Sequence, residues 1–282
     1  MEQFLDMDSR YHAAEDAKYF ILPIAYDDTS TFMKGADKGP QAILDASDSL
    51  ELYDTAYDIE ACTAGIHTLH SSLDFSTPEN MVNDVRQKVG EIVDRYRFPI
   101  IIGGEHSVSI GAIQALSEKH TDLSVLQIDA HADLREEYHG SKYNHACVMR
   151  RAQEVANVVQ VGIRSVCLEE KANIVDGNIF YAHLIHNKTA WMPEAIDRLT
   201  DHVYLTIDLD GLDPAYLPAT GTPQPGGLTW YTLLEFLEQL IRSKKLVGFD
   251  IVELCPRQED KRSDVLAAAL LYKIVTMLEL TG

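Results

Sequence analysis

The sequence has 282 residues, of which 46% are hydrophobic and 24% are charged, and its formal net charge is −20 at pH 7. This composition is typical of a globular protein and excludes a largely disordered chain. The negative charge argues against nucleic-acid binding, which needs clustered Lys and Arg, and favours small cationic ligands and metal ions.

The four cysteines are scattered without a CxxC pair, which argues against a disulfide framework or a zinc ribbon. The first ten residues are polar and acidic, unlike a signal peptide. No stretch approaches the ~20 apolar residues that cross a bilayer. We therefore expect a cytoplasmic protein whose partners include neither a membrane nor a nucleic acid.

Short apolar runs alternate with amphipathic stretches along the chain. Runs that are rich in Val and Ile and apolar on both faces predict buried parallel strands. They cover residues 19–25, 98–102, 123–128, 158–163, 178–182, 203–207 and 246–251. Thr77, Thr229 and Ser263 are predicted to precede helices that end near residues 97, 242 and 278. This alternation predicts an α/β fold, a single three-layer α/β/α domain (residues 1–282) around a mainly parallel sheet.

The densest group of possible metal ligands follows the predicted strand 123–128. Asp129, His131 and Asp133 lie two residues apart, so their side chains would project to one side of the chain. Ligands of open α/β sheets bind at the carboxyl ends of strands, and buried carboxylates seldom stay unpaired. The spacing therefore favours metal ligation over a packing role.

Two further strand ends carry the same kinds of residue. Asp208 and Asp210 follow an apolar strand at the same spacing, and His106 follows two glycines at the end of another strand. His106 alone would be weak evidence, because a single histidine is more often a surface or hydrogen-bonded residue. Asp213 precedes a proline and is interpreted as a turn former rather than a ligand.

The combined set contains two histidines and four aspartates: His106, Asp129, His131, Asp133, Asp208 and Asp210. An oxygen-rich set without sulfur favours Mn²⁺ or a similar hard cation over Zn²⁺. Six ligands exceed the needs of one tetrahedral ion, whereas two ions sharing carboxylates would use them all and offset the repulsion among the aspartates. We therefore predict a two-metal centre that activates water.

The chain resembles the ureohydrolase family, which includes arginases and agmatinases, over nearly its whole length. The matching motifs lie at residues 35–40, 103–106, 129–133, 208–210, 218–223 and 250–253. The resemblance implies an arginase-like fold, two Mn²⁺ ions per subunit and the release of urea from a small cationic guanidinium compound. It also implies a homo-oligomer, a trimer or a hexamer.

The resemblance implies a role for each matched residue. One manganese would be held by His106, Asp129, Asp133 and Asp208, and the other by Asp129, His131, Asp208 and Asp210, so that Asp129 and Asp208 bridge. Asp133 would also accept a hydrogen bond from the activated water. The catalytic set would be completed by His145, which passes a proton to the leaving amine, and by Glu253, which binds the guanidinium in a pocket lined by Thr222.

Other interpretations of these residues remain open. His145 could simply cap a helix, and Glu253 could be a solvated carboxylate at the end of a strand. Cys147 invites a rival mechanism, because some guanidine-modifying enzymes use a nucleophilic Cys and no metal. We interpret Cys147 instead as a small buried packing residue.

The loop after Asp133 bears on the substrate. Arginases carry an Asn two residues after this aspartate, where this sequence has Arg135, and the loop resembles that of the shorter agmatinases. We therefore expect agmatine to be hydrolysed to putrescine and urea, and Glu136 or Glu137 could meet either its ammonium or a neighbouring subunit. The alternatives are an arginase, guanidinobutyrase, guanidinopropionase, guanidine hydrolase or formimidoylglutamase, and, more remotely, a catalytically silent oligomeric scaffold.

Overall fold

The structure is a computed structural model and describes residues 3–281. Eight strands form one sheet in the order β2-β1-β3-β8-β7-β4-β5-β6, and every described pair of neighbouring strands is parallel. The strands are β1 (Tyr19–Ile24), β2 (Ile66–Thr68), β3 (Phe98–Gly103), β4 (Leu123–Ile128), β5 (Asn157–Ile163), β6 (Ile179–Tyr181), β7 (His202–Asp208) and β8 (Lys245–Val252). The predicted α/β class and parallel sheet are confirmed.

Helices cover both faces of this sheet. They are α1 (Gly39–Ser47), α2 (Pro78–Asp94), α3 (Val108–Ser117), α4 (Val148–Ala152), α5 (Ala182–Ile185), α6 (Trp191–Asp197), α7 (Trp230–Ser243) and α8 (Arg262–Glu279). Buried side chains of α1 and α5–α8 form one core with the sheet, and those of α2–α4 form a second core. The three predicted layers are therefore confirmed. Within the described range no helix is both long and apolar enough to cross a membrane.

Two of the three predicted helix starts are confirmed by their caps. The side chain of Thr77 accepts the N–H of Asn80, and that of Thr229 accepts the N–H of Thr232. The third start was wrong, because α8 already begins at Arg262 and Ser263 lies in its first turn. The side chain of Ser263 is buried there and accepts the backbone N–H of Ala219, which explains why a serine stands at this position.

The sheet register explains how distant parts of the chain meet. Ile102, Ile251, Ile207 and Ile128 lie side by side on the four central strands β3, β8, β7 and β4. The residues that follow each of them therefore leave the sheet at the same level of its carboxyl edge. This edge is where parallel α/β sheets bind ligands.

Candidate active site

Three of the four central strand ends, those of β3, β4 and β7, bring together all six predicted metal ligands. Asp129 directly follows β4, Asp208 is the last residue of β7, and His106 lies three residues after β3. Gly211 allows the close approach of the β7 loop, since a Cβ at this position would lie 2.8 Å from the backbone nitrogen of Asp129. Five of the six side chains are buried and His131 is partly buried, so the site is formed inside the protein rather than on its surface.

The first cluster surrounds His106. Its Nδ1 atom lies 3.2 Å from Asp129 Oδ2, 3.0 Å from Asp133 Oδ2 and 3.7 Å from Asp208 Oδ2. Despite these short distances, Nδ1 has no hydrogen-bond partner among residues 3–281. An unpartnered imidazole nitrogen facing three carboxylates fits a cation, since buried polar atoms are otherwise hydrogen-bonded.

The second cluster surrounds His131. Its Nδ1 atom lies 3.0 Å from Asp210 Oδ2 and 3.6 Å from Asp129 Oδ1. The two carboxylate oxygens of Asp129 thus face different histidines, as a bridging ligand requires. Within the described residues, the groups that could hold an ion are His106 with Asp129 and Asp208, and Asp129 with His131 and Asp210.

Hydrogen bonds behind His106 fix its tautomer. Its Nε2 lies 2.8 Å from the Thr206 hydroxyl, which donates its only proton to Asp250 at 2.6 Å. Tyr204 also donates to Asp250, at 2.6 Å. Because the Thr206 proton is already used, Nε2–H of His106 must donate to this hydroxyl, which leaves a lone pair on Nδ1 directed at the three carboxylates. The donor set therefore fits a metal ion.

A second chain of buried side chains orients Asp129. The Gln127 amide donates to Asp129 Oδ2 at 2.6 Å, and the backbone N–H of His131 donates to Oδ1 at 2.6 Å. Gln160 on β5 in turn donates to Gln127 at 2.5 Å. None of these supporting residues was predicted, although a polar side chain inside an apolar strand, as at Gln127, Thr206 and Asp250, was a visible signal.

The buried charges strongly perturb one another. Burial, followed by the neighbouring charges of Asp210, Asp129 and Glu253, raises the pKa of Asp208 well above its usual value. Burial and the charge of Asp129 raise the pKa of Asp133 to about 7. Burial alone would lower the pKa of His131, but its interactions with Asp210 and Asp129 together outweigh burial and raise this pKa to about 11. Without a cation the site must hold protons instead.

The clusters open into a pocket of about 290 Å³ whose lining includes His145, Thr222 and Glu253. The buried Glu253 accepts the backbone N–H of His106 at 2.7 Å, and its φ of 67° is left-handed, as is that of Asp133 at 51°. Left-handed backbone is costly for these residues and clusters at functional sites. Thr222 donates to Asp210 Oδ2 at 3.2 Å, so it links the pocket to the second cluster.

The family assignment rests on nearly the whole chain. The sequence model of the arginase family matches residues 17–277. The chain belongs to the arginase family. It is a ureohydrolase, that is, a hydrolase acting on C–N bonds of amidino groups, and the resemblance drawn from its motifs is confirmed.

Proteins that are similar to this chain over most of its length are named as ureohydrolases or agmatinases. The N(1)-aminopropylagmatine ureohydrolase of Synechocystis is 38% identical over 97% of this chain and 93% of its own length. The agmatinase of Pyrococcus horikoshii is 34% identical over 93% of each chain. The solved agmatine ureohydrolase of Thermoplasma volcanium is 32% identical, with a TM-score of 0.88 over 99% of this chain and 94% of its own. The arginase-like fold is therefore confirmed.

The surroundings of Cys147 do not suit a nucleophile. Its side chain is fully buried and is not part of the pocket lining. Burial, with the charge of Asp133, raises the pKa of the thiol to about 12. Since the thiolate is the nucleophilic form, a metal-free mechanism through Cys147 is disfavoured.

Glu136 and Arg135, in the loop after Asp133, have different surroundings. Glu136 binds Arg150 and Arg151 of α4, at 2.8 and 2.9 Å. Arg135 lines the pocket, but its guanidinium is paired with Glu169 and lies over the ring of Tyr138. Glu136 therefore anchors the loop to its own subunit, and the positive charge of Arg135 is neutralised at the pocket.

Arg164 fastens the Pro- and Gly-rich loop (residues 214–228) to the site. Its guanidinium donates to the backbone carbonyls of Asp210 at 2.6 Å, Gln224 at 2.8 Å and Pro225 at 3.1 Å. A planar guanidinium can reach several acceptors at once, whereas an ammonium cannot reproduce this geometry. One side chain thus holds this loop beside Asp210, a predicted metal ligand.

Substitution of Arg164 by Lys should lower stability. We expect the free energy of unfolding to fall by about 1–3 kcal/mol, because carbonyls are left without a donor. Urea-induced unfolding measures this loss. The control is Arg242→Lys, where an exposed arginine pairs with Glu238 one helical turn away. A loss no larger than that of the control would contradict the prediction.

Proposed function

We propose that the chain is a two-manganese amidinohydrolase of linear guanidino amines, agmatine or N(1)-aminopropylagmatine, releasing urea and the corresponding polyamine. The observation that carries the proposal is the pair of His/Asp clusters sharing Asp129 beside a pocket with a buried carboxylate, Glu253. Two Mn²⁺ ions bound there would lower the pKa of water and so supply a nucleophile near neutral pH.

The residues of the chain supply the remaining chemistry. His106, Asp129, Asp133 and Asp208 would hold one ion, and Asp129, His131, Asp208 and Asp210 the other. Glu253 orients the planar guanidinium through charge-assisted hydrogen bonds. Burial lowers the pKa of His145 to about 4, so its imidazole is neutral and can carry a proton from the attacking water to the departing nitrogen.

The charge of the pocket supports a substrate with a cationic tail. Its lining includes the carboxylates of Asp133, Glu170, Asp208 and Glu253, and the guanidinium of Arg135 in the same lining is already paired with Glu169. Among the described residues of the lining, a substrate carboxylate would therefore meet no unpaired Lys or Arg, which disfavours arginine. The names of the relatives, agmatinase and N(1)-aminopropylagmatine ureohydrolase, support the same class and widen it beyond agmatine.

A substrate panel tests the proposal. Urea release by manganese-loaded enzyme should be at least about 100-fold more efficient, in kcat/KM, for agmatine or N(1)-aminopropylagmatine than for arginine, guanidinobutyrate or guanidinopropionate. Guanidine, and formimidoylglutamate with ammonia as the readout, complete the panel. Preference for a carboxylate-bearing substrate would overturn the substrate class, and absence of turnover with every compound would favour the silent scaffold.

We also propose that the enzyme is a cytoplasmic homo-oligomer, a trimer or a hexamer. The motif resemblance to ureohydrolases supports this. Light scattering of the purified protein measures the subunit number. A monomer would contradict the proposal without bearing on the chemistry of the site.

A further inference from the structure

Thr29 contacts His145 across 116 residues of sequence. The backbone N–H of His145 lies 3.0 Å from the Thr29 hydroxyl, and the ring nitrogen Nδ1 lies 3.1 Å from the same oxygen. The hydroxyl itself donates to Glu105 Oε1 at 2.6 Å. A single threonine thus joins the pocket histidine to a buried carboxylate.

Counting protons fixes the tautomer of His145. A hydroxyl has one proton and two lone pairs, and the Thr29 proton is donated to Glu105. Both lone pairs are then left to accept, one from the backbone N–H of His145 and one from Nδ1–H of its ring. The proton of the neutral ring is therefore on Nδ1, and Nε2 carries the free lone pair. Among residues 3–281, none forms a hydrogen bond with Nε2.

Glu105 is held as a hydrogen-bond acceptor by several donors. Its Oε2 accepts the backbone N–H groups of Thr29 at 2.6 Å and Ser30 at 2.8 Å. The preceding Gly104 allows this approach, since a Cβ there would lie 2.0 Å from the carbonyl oxygen of Tyr26. Glu105 is fully buried and directly precedes His106. The carboxylate that holds Thr29 therefore lies next to a predicted metal ligand.

We propose that Thr29, anchored by Glu105, is a positioning residue that holds His145 in the tautomer presenting Nε2 to the substrate. This inference rests on the proposed function, in which His145 carries a proton. Nε2 accepts one proton from the attacking water and returns it to the departing nitrogen. During this step the positive ring keeps donating its Nδ1–H to the Thr29 oxygen, while the Thr29 hydroxyl keeps its own proton and donates it in a hydrogen bond to Glu105.

A purely structural role would not need this arrangement. The two backbone N–H groups bound to Glu105 already fix the loop that contains Thr29. The side-chain hydroxyl adds the contacts with the backbone N–H and the ring of His145, and the ring contact is the part that affects proton transfer. The side chain and the loop can therefore be separated by substitution.

The test is a double-mutant cycle between Thr29 and His145. Thr29→Val keeps the branched shape but removes the hydroxyl, and Thr29→Ser restores it. We expect Thr29→Val to lower kcat of urea release about 10- to 100-fold with little change in KM, and Thr29→Ser to stay within a few-fold of wild type. In the His145→Ala background, Thr29→Val should change kcat by no more than about twofold.

The controls separate this inference from the proposed function. Thr121→Val alters an exposed turn and should leave kcat unchanged. Melting temperature and Mn²⁺ affinity, measured for each variant, report loss of folding or of the metal site. Equal losses from Thr29→Val in both backgrounds, or no loss in either, overturn the inference. Full activity of His145→Ala would instead overturn the role of His145 in the proposed function, on which the inference rests. If the wild-type enzyme releases no urea, both the proposed function and the inference fail.

Discussion

Replacing His145 by Ala is expected to lower kcat about 10²- to 10⁴-fold while the manganese content stays at the wild-type level. The imidazole lines the pocket but belongs to neither of the two His/Asp clusters. Its removal therefore leaves the departing nitrogen without a proton donor and leaves the predicted ligands in place. Steady-state urea release gives kcat, and elemental analysis gives the metal content.

The matched control is His183→Ala, which removes an exposed histidine on α5. It should keep wild-type kcat, so that a loss in His145→Ala is specific to the pocket. Unchanged turnover in His145→Ala would remove this residue from the mechanism. Loss of manganese in the same variant would show instead that the ring supports the metal site.

The central strands were the most predictable part of the fold. The strands β3, β4, β7 and β8 are buried on both faces, so their apolar runs are long, and their predicted bounds differ from the observed ones by at most one residue. The edge strand β2 was not predicted, because it has only three residues and a half-exposed His67 at its centre. Helix α3 was also missed, since most of its sides are buried and it lacks an amphipathic stripe.

In the candidate site, too, the features that could be predicted are those with a local signal in the sequence. The spacing of Asp129, His131 and Asp133 at a strand end predicted a shared edge, and the structure places these side chains together. The interpretation of Asp213 as a turn former is confirmed, because its carboxylate accepts the N–H groups of Ala215, Gly226 and Gly227. Such local patterns are visible in sequence because neighbours in the chain are neighbours in space.

Contacts between distant segments could not be predicted in this way. Thr29 contacts His145, and Gln127 on β4 contacts Gln160 on β5. The partners are far apart in the sequence, and no regular spacing links them. These pairs depend on sheet order and on where each loop returns. The roles of the ligands and of Glu253 likewise rest on family resemblance, and remain predictions that the variants above and below address.

Removal of the metal is expected to abolish urea release, and added Mn²⁺ should restore it. The metal-free protein should also be less stable, because a ligand present at 1,000 times its Kd stabilises the folded state by about 4 kcal/mol. For a chain of this size that difference corresponds to a change in Tm of order 10 °C. Calorimetry after EDTA treatment and after reconstitution measures both values.

The stability of the metal-free protein should fall as pH rises. The pKa of Asp133 is about 7 in the folded state, above its usual value near ~3.9, so the folded state holds an extra proton between these pH values and loses that stabilisation by pH 7. His131, at about 11, acts in the same direction from pH ~6.5 upward. Two groups act in the opposite direction. Burial would raise the pKa of Asp129, but the charges of both histidines help to lower it, and this acts only below about pH 4. Burial lowers the pKa of His145 to about 4, and this partly offsets the effect of Asp133 between about pH 4 and pH 6.5.

Asp208→Asn separates the two roles of that carboxylate. Without metal, a neutral amide in place of the Asp208 carboxylate should raise Tm near pH 8, because burial and the charges of Asp210 and Asp129 oppose ionisation of that carboxylate. With Mn²⁺, the same variant should bind less metal, gain little in Tm and release no detectable urea. Exposed Asp176→Asn should follow wild type in both conditions. If metal-free Asp208→Asn were instead less stable than wild type, charge repulsion would not be what the metal relieves at this site.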